Sequence, residues 1–182
     1  MSPFYTRGGD EGMTGLLGKG RVPKYDLRME ALGALDESTA ALGLAKAFSG
    51  DQDTRALLER MQRYLYQLMA EVAATVENAE KFRKITADQV VELEQLTDAL
   101  EQQVALPNEF ILPGDSPAGG ALDLARTIIR RAERRVAELL AQNALQNQEL
   151  LRFLNRLSSL IYLLEFKENL LSGNQHPTLA KE

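Results

Sequence analysis

The chain has 182 residues, a formal net charge of -5 and 45% hydrophobic side chains. This is the composition of one folded soluble domain, and its acidic balance argues against general nucleic-acid binding. There is no cysteine and one histidine, His176, which excludes disulfides, thiolate metal sites, cysteine nucleophiles, His-based metal centres and serine triads within one chain. No signal peptide opens the chain and no apolar run approaches the roughly 18 residues of a membrane span, so we expect a soluble cytoplasmic protein with no membrane partner.

The residue composition and the periodicity of the chain change after Pro23. Residues 1–24 hold six of the thirteen glycines and lack helical periodicity, which predicts a glycine-rich loop. Leucines and alanines then predict a first helix from about Asp26 to Phe48. Apolar residues at three- and four-residue steps predict a second helix that reaches about Glu80.

The next two predicted helices begin with capping signals. Thr86 and Gln89 have the spacing of a capping box, which begins a third helix that ends before Pro107. Ser116 is a favourable N-cap and Pro117 a favourable first residue. Together they begin a fourth helix that runs to about residue 142.

A fifth helix is predicted from about Glu149 to Leu171, where Gly173 ends it. Residues 173–182 are predicted to be a frayed tail. Five long helices, short connections and no strand signal predict an all-α fold. We expect a five-helix bundle in which residues 1–182 form a single domain.

Five arginines lie within ten residues of the fourth predicted helix, in the string ARTIIRRAERR. At 100° per residue, Arg126, Arg130 and Arg134 share one stripe, and Arg131 and Arg135 form a second. Either both stripes are solvated, or one binds an anion while the other forms salt bridges. An anion site would resemble the polyphosphate sites that arginine forks and free backbone N–H groups build elsewhere.

Other residues have two interpretations as well. Glu133 is a local counter-ion or part of an anion site, which Asn155 and Arg156 would join if the last helix packs alongside. Asp36 is an exposed carboxylate, or it pairs with an arginine of the fourth helix, as its neighbour Glu37 also could. Phe110 either fills the core or faces a large flat ligand.

The glycine-rich segment is also open to two interpretations. It lacks the Walker A pattern and follows no predicted strand, so a P-loop and a Rossmann site are excluded. It is either a flexible leader or a loop that wraps a phosphate chain with its backbone N–H groups, with Lys24 as a point charge.

Four strings, in this order, resemble the ATP:cob(I)alamin adenosyltransferases of the PduO type. They are YTRGGDEGMTGLLG at 5–18, RVPKYDLRMEALGALDE at 21–37, FILPGDSPAGGALDLARTIIRRAERRV at 110–136 and FLNRLSSLIYLL at 153–164. The resemblance implies a five-helix bundle that forms a homotrimer with active sites between subunits. It also implies transfer of the 5′-deoxyadenosyl group of ATP to reduced cobalamin, with release of triphosphate. The metal that this reaction would use is Mg²⁺.

The resemblance assigns roles to individual residues. The ATP site would consist of Thr6, Arg7, Gly8, Gly9, Asp10, Thr14, Gly15, Lys24, Arg130, Arg131, Glu133, Arg134 and Asn155. Arg130, Glu133 and Phe110 would serve the reaction, with Phe110 below the corrin ring, where it excludes a lower axial ligand. Asp36 would pair with Arg126 across the subunit contact. Implied partners are an electron-donating reductase and an enzyme that receives adenosylcobalamin.

The sequence departs from the family pattern mainly in the corrinoid half. Ser159 replaces a usual Asp, Tyr162 a usual Phe, and Glu165 and Phe166 a usual Ala-Arg pair. Asp115 stands where glycine is common, and histidine is frequent at position 123, where the chain has Asp. An alternative is therefore a non-catalytic trimeric homologue that binds ATP in a regulatory role. A helical bundle with an incidental anion patch is a third.

Overall fold

A computed structural model describes residue 5 and residues 7–174 and 176–181 of the chain. Within them lie two short strands, β1 (Met13–Gly15) and β2 (Arg21–Pro23), and six helices. The helices are α1 (Leu27–Phe48), α2 (Gln52–Ala73), α3 (Ala79–Phe82), α4 (Ala87–Glu101), α5 (Pro117–Ala141) and α6 (Glu149–Leu171). Apart from the single-turn α3, these are the five predicted helices, so the all-α prediction is confirmed.

The predicted capping signals begin the helices where expected. Thr86 and Gln89 form a reciprocal capping box at the start of α4. Oγ of Ser116 accepts a hydrogen bond from the backbone N–H of Gly119 at 2.9 Å, and Pro117 is the first residue of α5. These local interactions satisfy backbone donors that a helix start leaves unpaired.

The second helix ends earlier than predicted, at Ala73 instead of near Glu80. The backbone N–H of Leu17 donates to the carbonyl oxygen of Ala73 at 2.9 Å. The buried guanidinium of Arg28 donates to the carbonyl of Val72 at 2.6 Å. Because these carbonyl groups accept hydrogen bonds from distant parts of the chain, α2 needs no further turn to satisfy them.

The N-terminal segment forms an antiparallel hairpin that the sequence did not predict. β1 and β2 pair in register over three residues, a length too short to show alternation. Gly18 has a φ of +154°, and a Cβ atom there would lie 2.5 Å from Oγ1 of Thr75. Glycine is therefore needed where the hairpin packs against the segment after α2.

The core lies between the long helices. Helix α5 packs against both α1 and α6, while α2 packs against α1 and α4 against α6. The largest fully buried side chains come from all five long helices and from Ile85 in the loop before α4. Among the described residues, no helix has both the length and the apolar character needed to cross a bilayer.

The described C-terminal residues form hydrogen bonds with the loop before α5. The backbone N–H of Ala180 donates to the carbonyl of Phe110, and that of Leu112 donates to the carbonyl of Thr178, both at 2.8 Å. The tail and the loop before α5 thus form a short antiparallel bridge, which pairs backbone groups of both segments.

Candidate functional site

Two cavities lie along the face of α5 that is turned toward α6. Arg126 and Arg130 line the first cavity, and Arg130 and Arg134 line the second. These are the three arginines of the first predicted stripe. The packing of α5 against α6 therefore concentrates guanidinium groups where a ligand has room to bind.

The second arginine stripe is used for ion pairs. Arg131 pairs with Glu37 of α1, and Arg135 pairs with Glu138 at 3.2 Å on its own helix. Of the two carboxylates on α1 that the sequence offered, Glu37 is the one that meets an arginine of α5. Within residues 7–174, Arg131 lines neither of the two cavities, and its expected role in nucleotide binding stays a prediction.

The first cavity has a volume of about 350 Å³ and a mixed lining. Its lining residues come from the loop before α5, from α5 and from α6: Phe110, Ile111, Pro113, Asp123, Arg126, Arg130, Ser158, Ser159 and Tyr162. Phe110 is 87% exposed, so the interpretation of Phe110 as a core residue is wrong. An exposed aromatic ring beside a cavity is available to a large apolar ligand.

Arg126 is held by its own helix and by α6. Its Nη2 atom lies 2.6 Å from Oδ1 of Asp123, and its guanidinium lies 5.6 Å from the centre of the Tyr162 ring. Asp36 is exposed on α1. Within a single chain, among residues 7–174, Asp36 and Arg126 do not pair, so the expected contact between them requires a second subunit.

A buried carboxylate lies close to the first cavity. Glu165 is 0% exposed, and neither of its carboxylate oxygens has a hydrogen-bond partner among the described residues. Burial, together with the negative charge of Asp123, raises the pKa of Glu165 to about 7, although Arg126 opposes the shift. Burial and Glu165 also raise the pKa of Tyr162. The sequence showed that Glu165 departs from the family pattern, but it did not show that the Glu165 side chain is buried.

The second cavity has a volume of about 420 Å³ and is lined by several charged side chains. Its lining residues are Arg130, Glu133, Arg134, Ala137, Leu151, Arg152, Asn155 and Arg156. Four guanidinium groups and one carboxylate thus surround one space, an arrangement suited to a polyphosphate.

Hydrogen bonds connect the polar groups of the second cavity to α4. Nδ2 of Asn155 donates to Oε1 of Glu133 at 2.9 Å, and Nη1 of Arg156 donates to Oδ1 of Asn155 at 2.8 Å. Nε of Arg156 donates to Oε1 of Glu94 at 2.8 Å. Arg152 was not predicted to belong to the site, although it lies one helical turn before Asn155 and Arg156.

Most of the predicted N-terminal residues form a compact turn. The N–H of Asp10 donates to the carbonyl of Arg7 at 3.2 Å, and the N–H of Gly12 donates to that of Gly9 at 3.1 Å. A Cβ atom on Gly9 would lie 3.0 Å from Nζ of Lys24. The ammonium group of Lys24 therefore lies directly against the glycine turn.

The hairpin supplies the rest of this segment. Thr14 and Gly15 belong to β1, while Arg21 of β2 donates to the backbone carbonyl groups of Gly8 and Met13, the latter at 2.9 Å. Arg21 was not among the predicted site residues. Its spacing from the glycines gives no signal of this contact, because the contact depends on the hairpin pairing.

The two parts of the expected nucleotide site lie on different elements. The hairpin is anchored through Leu17 to the end of α2, whereas the second cavity lies between α5 and α6. Thr6, which was also predicted to bind ATP, lies outside the described residues.

Comparison with known families adds to this geometry. The family model described as "Cobalamin adenosyltransferase" matches residues 4–168 of the chain. The chain belongs to this family. The match covers the hairpin, both cavities and all five long helices except the end of α6, so it includes every residue predicted for the site. It ends before the tail that contacts the Phe110 loop.

Members of the cobalamin adenosyltransferase family from several bacteria are similar to this chain. The corrinoid adenosyltransferase PduO of Salmonella typhimurium is 41% identical over 167 residues, which are 91% of this chain and 49% of that protein. The corrinoid adenosyltransferase of Bacillus subtilis is 39% identical over 174 residues, which are 93% of this chain and 88% of that protein. The chain thus spans about half the length of the Salmonella and Citrobacter PduO relatives.

Solved structures of the family have the same fold. A variant of the PduO-type ATP:corrinoid adenosyltransferase from Lactobacillus reuteri, complexed with cobalamin and ATP, matches with a TM-score of 0.88 and 33% identity over 98% of this chain and 99% of that one. A second variant, complexed with ATP, has a TM-score of 0.88 at 32% identity and covers 97% of this chain and 99% of that one. The comparisons therefore do not favour a non-catalytic homologue.

Proposed function

We propose that this protein transfers the 5′-deoxyadenosyl group of ATP to cob(I)alamin, forming adenosylcobalamin and triphosphate. The observation that carries the proposal is that Arg130 lines both cavities. One cavity is bordered by an exposed aromatic residue and suits a corrinoid, and the other is rich in arginine and suits a triphosphate. A shared wall brings the two reacting molecules together.

The reaction needs little chemistry from protein side chains. The electron pair of Co(I) attacks C5′ of ATP and forms the cobalt–carbon bond, while the bond from C5′ to the phosphate oxygen breaks and its electron pair leaves with triphosphate. No proton has to move. The protein has to orient the substrates and stabilise the charge that develops on the leaving group, which Arg130 and Arg134 would do.

Glu133 has a supporting role in this proposal. Its carboxylate accepts a hydrogen bond from Asn155 and lines the same cavity as Arg130 and Arg134. In this proposal Glu133 acts as a counter-ion for the guanidinium groups of the cavity and not as an acid or a base. The phosphate chain would be enclosed by Arg7, Gly8, Gly9, Asp10, Thr14, Gly15 and Lys24, and Thr6 is proposed to bind ATP as well.

Mg²⁺ would enter as part of the substrate, bound to the phosphates of ATP. No group of three or more acidic or imidazole ligands suited to a metal is found among the described residues, while Glu133 offers a single carboxylate in the second cavity. This fits Mg²⁺ that takes most of its ligands from phosphate oxygens and water. The ion would add to the charge stabilisation on triphosphate.

Phe110 would act on the corrinoid. Its ring borders the first cavity and is not packed into the core. An apolar side chain below the corrin ring would exclude a lower axial ligand, and without that ligand Co(II) is easier to reduce to Co(I). A reductase would supply the electron, and an adenosylcobalamin-dependent enzyme would receive the product.

A homotrimer is part of the proposal. The hairpin of one subunit and the second cavity of its neighbour would together form one ATP site. Each subunit would be a single domain, and the protein would work in the cytoplasm. Asp36 of one subunit would reach Arg126 of the next, whose side chain is 28% exposed. That contact would compete with the pairing of Arg126 and Asp123 within one chain.

The test is an anaerobic assay with chemically reduced cob(I)alamin, ATP and Mg²⁺. We expect loss of the Co(I) absorbance and formation of adenosylcobalamin and triphosphate, both identified by chromatography. Saturable ATP binding without product would favour the non-catalytic homologue instead. No ATP binding would favour an incidental anion patch.

A further inference from the structure

The loop that carries Phe110 is joined to the C-terminal tail by a short ladder of hydrogen bonds. Ala180 donates from its N–H to the carbonyl of Phe110, and Leu112 donates to the carbonyl of Thr178, both at 2.8 Å. Ile111 and Leu179 face each other in this antiparallel bridge. The tail is thus paired, through a single antiparallel bridge, with the loop that borders the first cavity.

Asp115 fastens the tail to the loop by its side chain. Its Oδ2 accepts a hydrogen bond from the N–H of Thr178 at 2.9 Å, and its Oδ1 accepts one from Oγ1 of the same residue at 2.7 Å. The backbone carbonyl of Asp115 also accepts a hydrogen bond from the side chain of Asn174. One carboxylate therefore binds two donors of one residue, 63 positions away in the chain.

The other end of the loop is fixed to the bundle. Asp115 is followed by Ser116, the N-cap of α5, whose hydroxyl donates to Oδ1 of Asn169 on α6 at 2.6 Å. Asp115 thus lies at the junction between a rigid helix start and an exposed loop. Gly114, next to it, has a φ of +117°, so the chain turns at this junction.

The ring of Phe110 has no core packing to hold it in place, because 87% of the residue is exposed. Its carbonyl group is bonded to Ala180, and the tail that supplies this bond is itself held by Asp115 and Thr178. The position of Phe110 relative to the cavity therefore depends on the tail. The tail lies beyond the residues matched by the family model, which end at 168.

We propose that Asp115 and Thr178 are positioning residues that hold Phe110 at the corrinoid cavity by latching the C-terminal tail onto its loop. The inference rests on the proposed function. When the latch is closed, Phe110 stays where a lower axial ligand would bind. When it is open, the loop moves and the ligand returns to cobalt, which hinders reduction of Co(II) but leaves the attack by Co(I) largely unaffected.

The first test compares Asp115→Ala and Thr178→Val with wild type. We expect the rate from cob(II)alamin with a reductant to fall by about tenfold or more relative to the rate from prereduced cob(I)alamin. The absorption and electron paramagnetic resonance spectra of cob(II)alamin bound with ATP should show less of the form without a lower ligand. Thr178→Ser keeps the hydroxyl and should behave as wild type, as should Asp98→Ala, an exposed aspartate on α4.

A second measurement is independent of catalysis. Amide hydrogen exchange at Leu112, Thr178 and Ala180 should be at least about tenfold faster in Asp115→Ala than in wild type, while amides in the middle of α5 should be unchanged. Unchanged exchange, or equal loss of rate from cob(I)alamin and cob(II)alamin, would overturn the latch. Failure of the wild type to form adenosylcobalamin from cob(I)alamin would instead overturn the proposed function.

Discussion

Asn155 of α6 donates a hydrogen bond from Nδ2 to Oε1 of Glu133 on α5, at 2.9 Å. The bond joins the two helices at the second cavity and leaves the second carboxylate oxygen of Glu133 available to the arginines beside it. The amide of Asn155 is itself oriented by Arg156, which donates to its Oδ1. The cavity therefore contains an ordered set of charges before any ligand binds, which is the condition for electrostatic stabilisation of a leaving group.

Arg130→Ala should reduce adenosyl transfer by about 100-fold or more, because it removes a guanidinium group from the wall that both cavities share. The measurement is the initial rate from cob(I)alamin at saturating ATP. Arg135→Ala is the matched control, since Arg135 lies on the same helix and pairs with Glu138. Equal rates for the two variants would contradict the assigned site.

Glu133→Gln should keep the transfer rate within about tenfold of wild type, since the amide oxygen of glutamine can still accept the hydrogen bond from Asn155. A general acid or base would contribute roughly 100-fold or more. The pH dependence of the rate should also be unchanged. A larger loss of rate in Glu133→Gln, with an altered pH profile, would show that Glu133 transfers protons. Glu133→Ala should reduce the rate more than Glu133→Gln does.

Phe110→Ala should slow the reaction that starts from cob(II)alamin at least about tenfold more than the reaction that starts from cob(I)alamin. The physical reason is that the lower axial ligand returns to Co(II) and makes its reduction harder. Rates from both starting states are measured with the same ATP concentration. Phe48→Ala, at another exposed phenylalanine, is the control, and equal losses from both states would refute the role of Phe110.

Glu165→Gln should change how stability depends on pH. Burial raises the pKa of Glu165 from 4.5 to about 7, so the folded protein retains a proton that the unfolded chain releases between these values. The free energy of unfolding contributed by this group is fully present below pH 4.5 and is lost as the pH rises through 7. The loss is on the order of 3 kcal/mol.

The glutamine variant should therefore be more stable than wild type at pH 8, and the difference should shrink toward pH 4.5. Denaturant unfolding at several pH values measures it. Glu101→Gln is the control, because Glu101 is exposed at the end of α4. A difference between Glu165→Gln and wild type that does not change with pH would show that Glu165 is not held protonated.

Asp36→Ala should weaken the proposed trimer by at least about thirtyfold if Asp36 meets Arg126 across the subunit contact. Sedimentation velocity over a range of protein concentrations measures the effect. Asp98→Ala again serves as the control. A trimer as stable as the wild type would remove Asp36 from the contact.

Local signals in the sequence account for much of the fold. The capping box of Thr86 and Gln89 and the Ser116–Pro117 start of α5 were read correctly, because a cap depends on residues within one turn. The arginine stripes were separated correctly for the same reason, since helical spacing fixes which side chains share a face.

Long-range contacts account for the features that the sequence did not predict. Helix α2 ends at Ala73 because Leu17 and Arg28 donate hydrogen bonds to its last carbonyl groups, and both residues precede α2 in the chain. The tail is attached because Asp115 meets Thr178, 63 positions away. The periodicity and residue spacing within one segment cannot predict contacts between segments that are far apart in the chain.

The sequence by itself determined the number and order of the long helices, the side of α5 on which each arginine lies, and the family resemblance. Only the tertiary structure decided that Arg130 is shared by two cavities, that Arg131 is paired with Glu37, and that the carboxylate of Glu165 is buried without a hydrogen-bond partner among the described residues. The reason is physical. Helix formation depends on neighbours three and four residues apart, whereas cavities, ion pairs between helices and burial depend on which faces pack together.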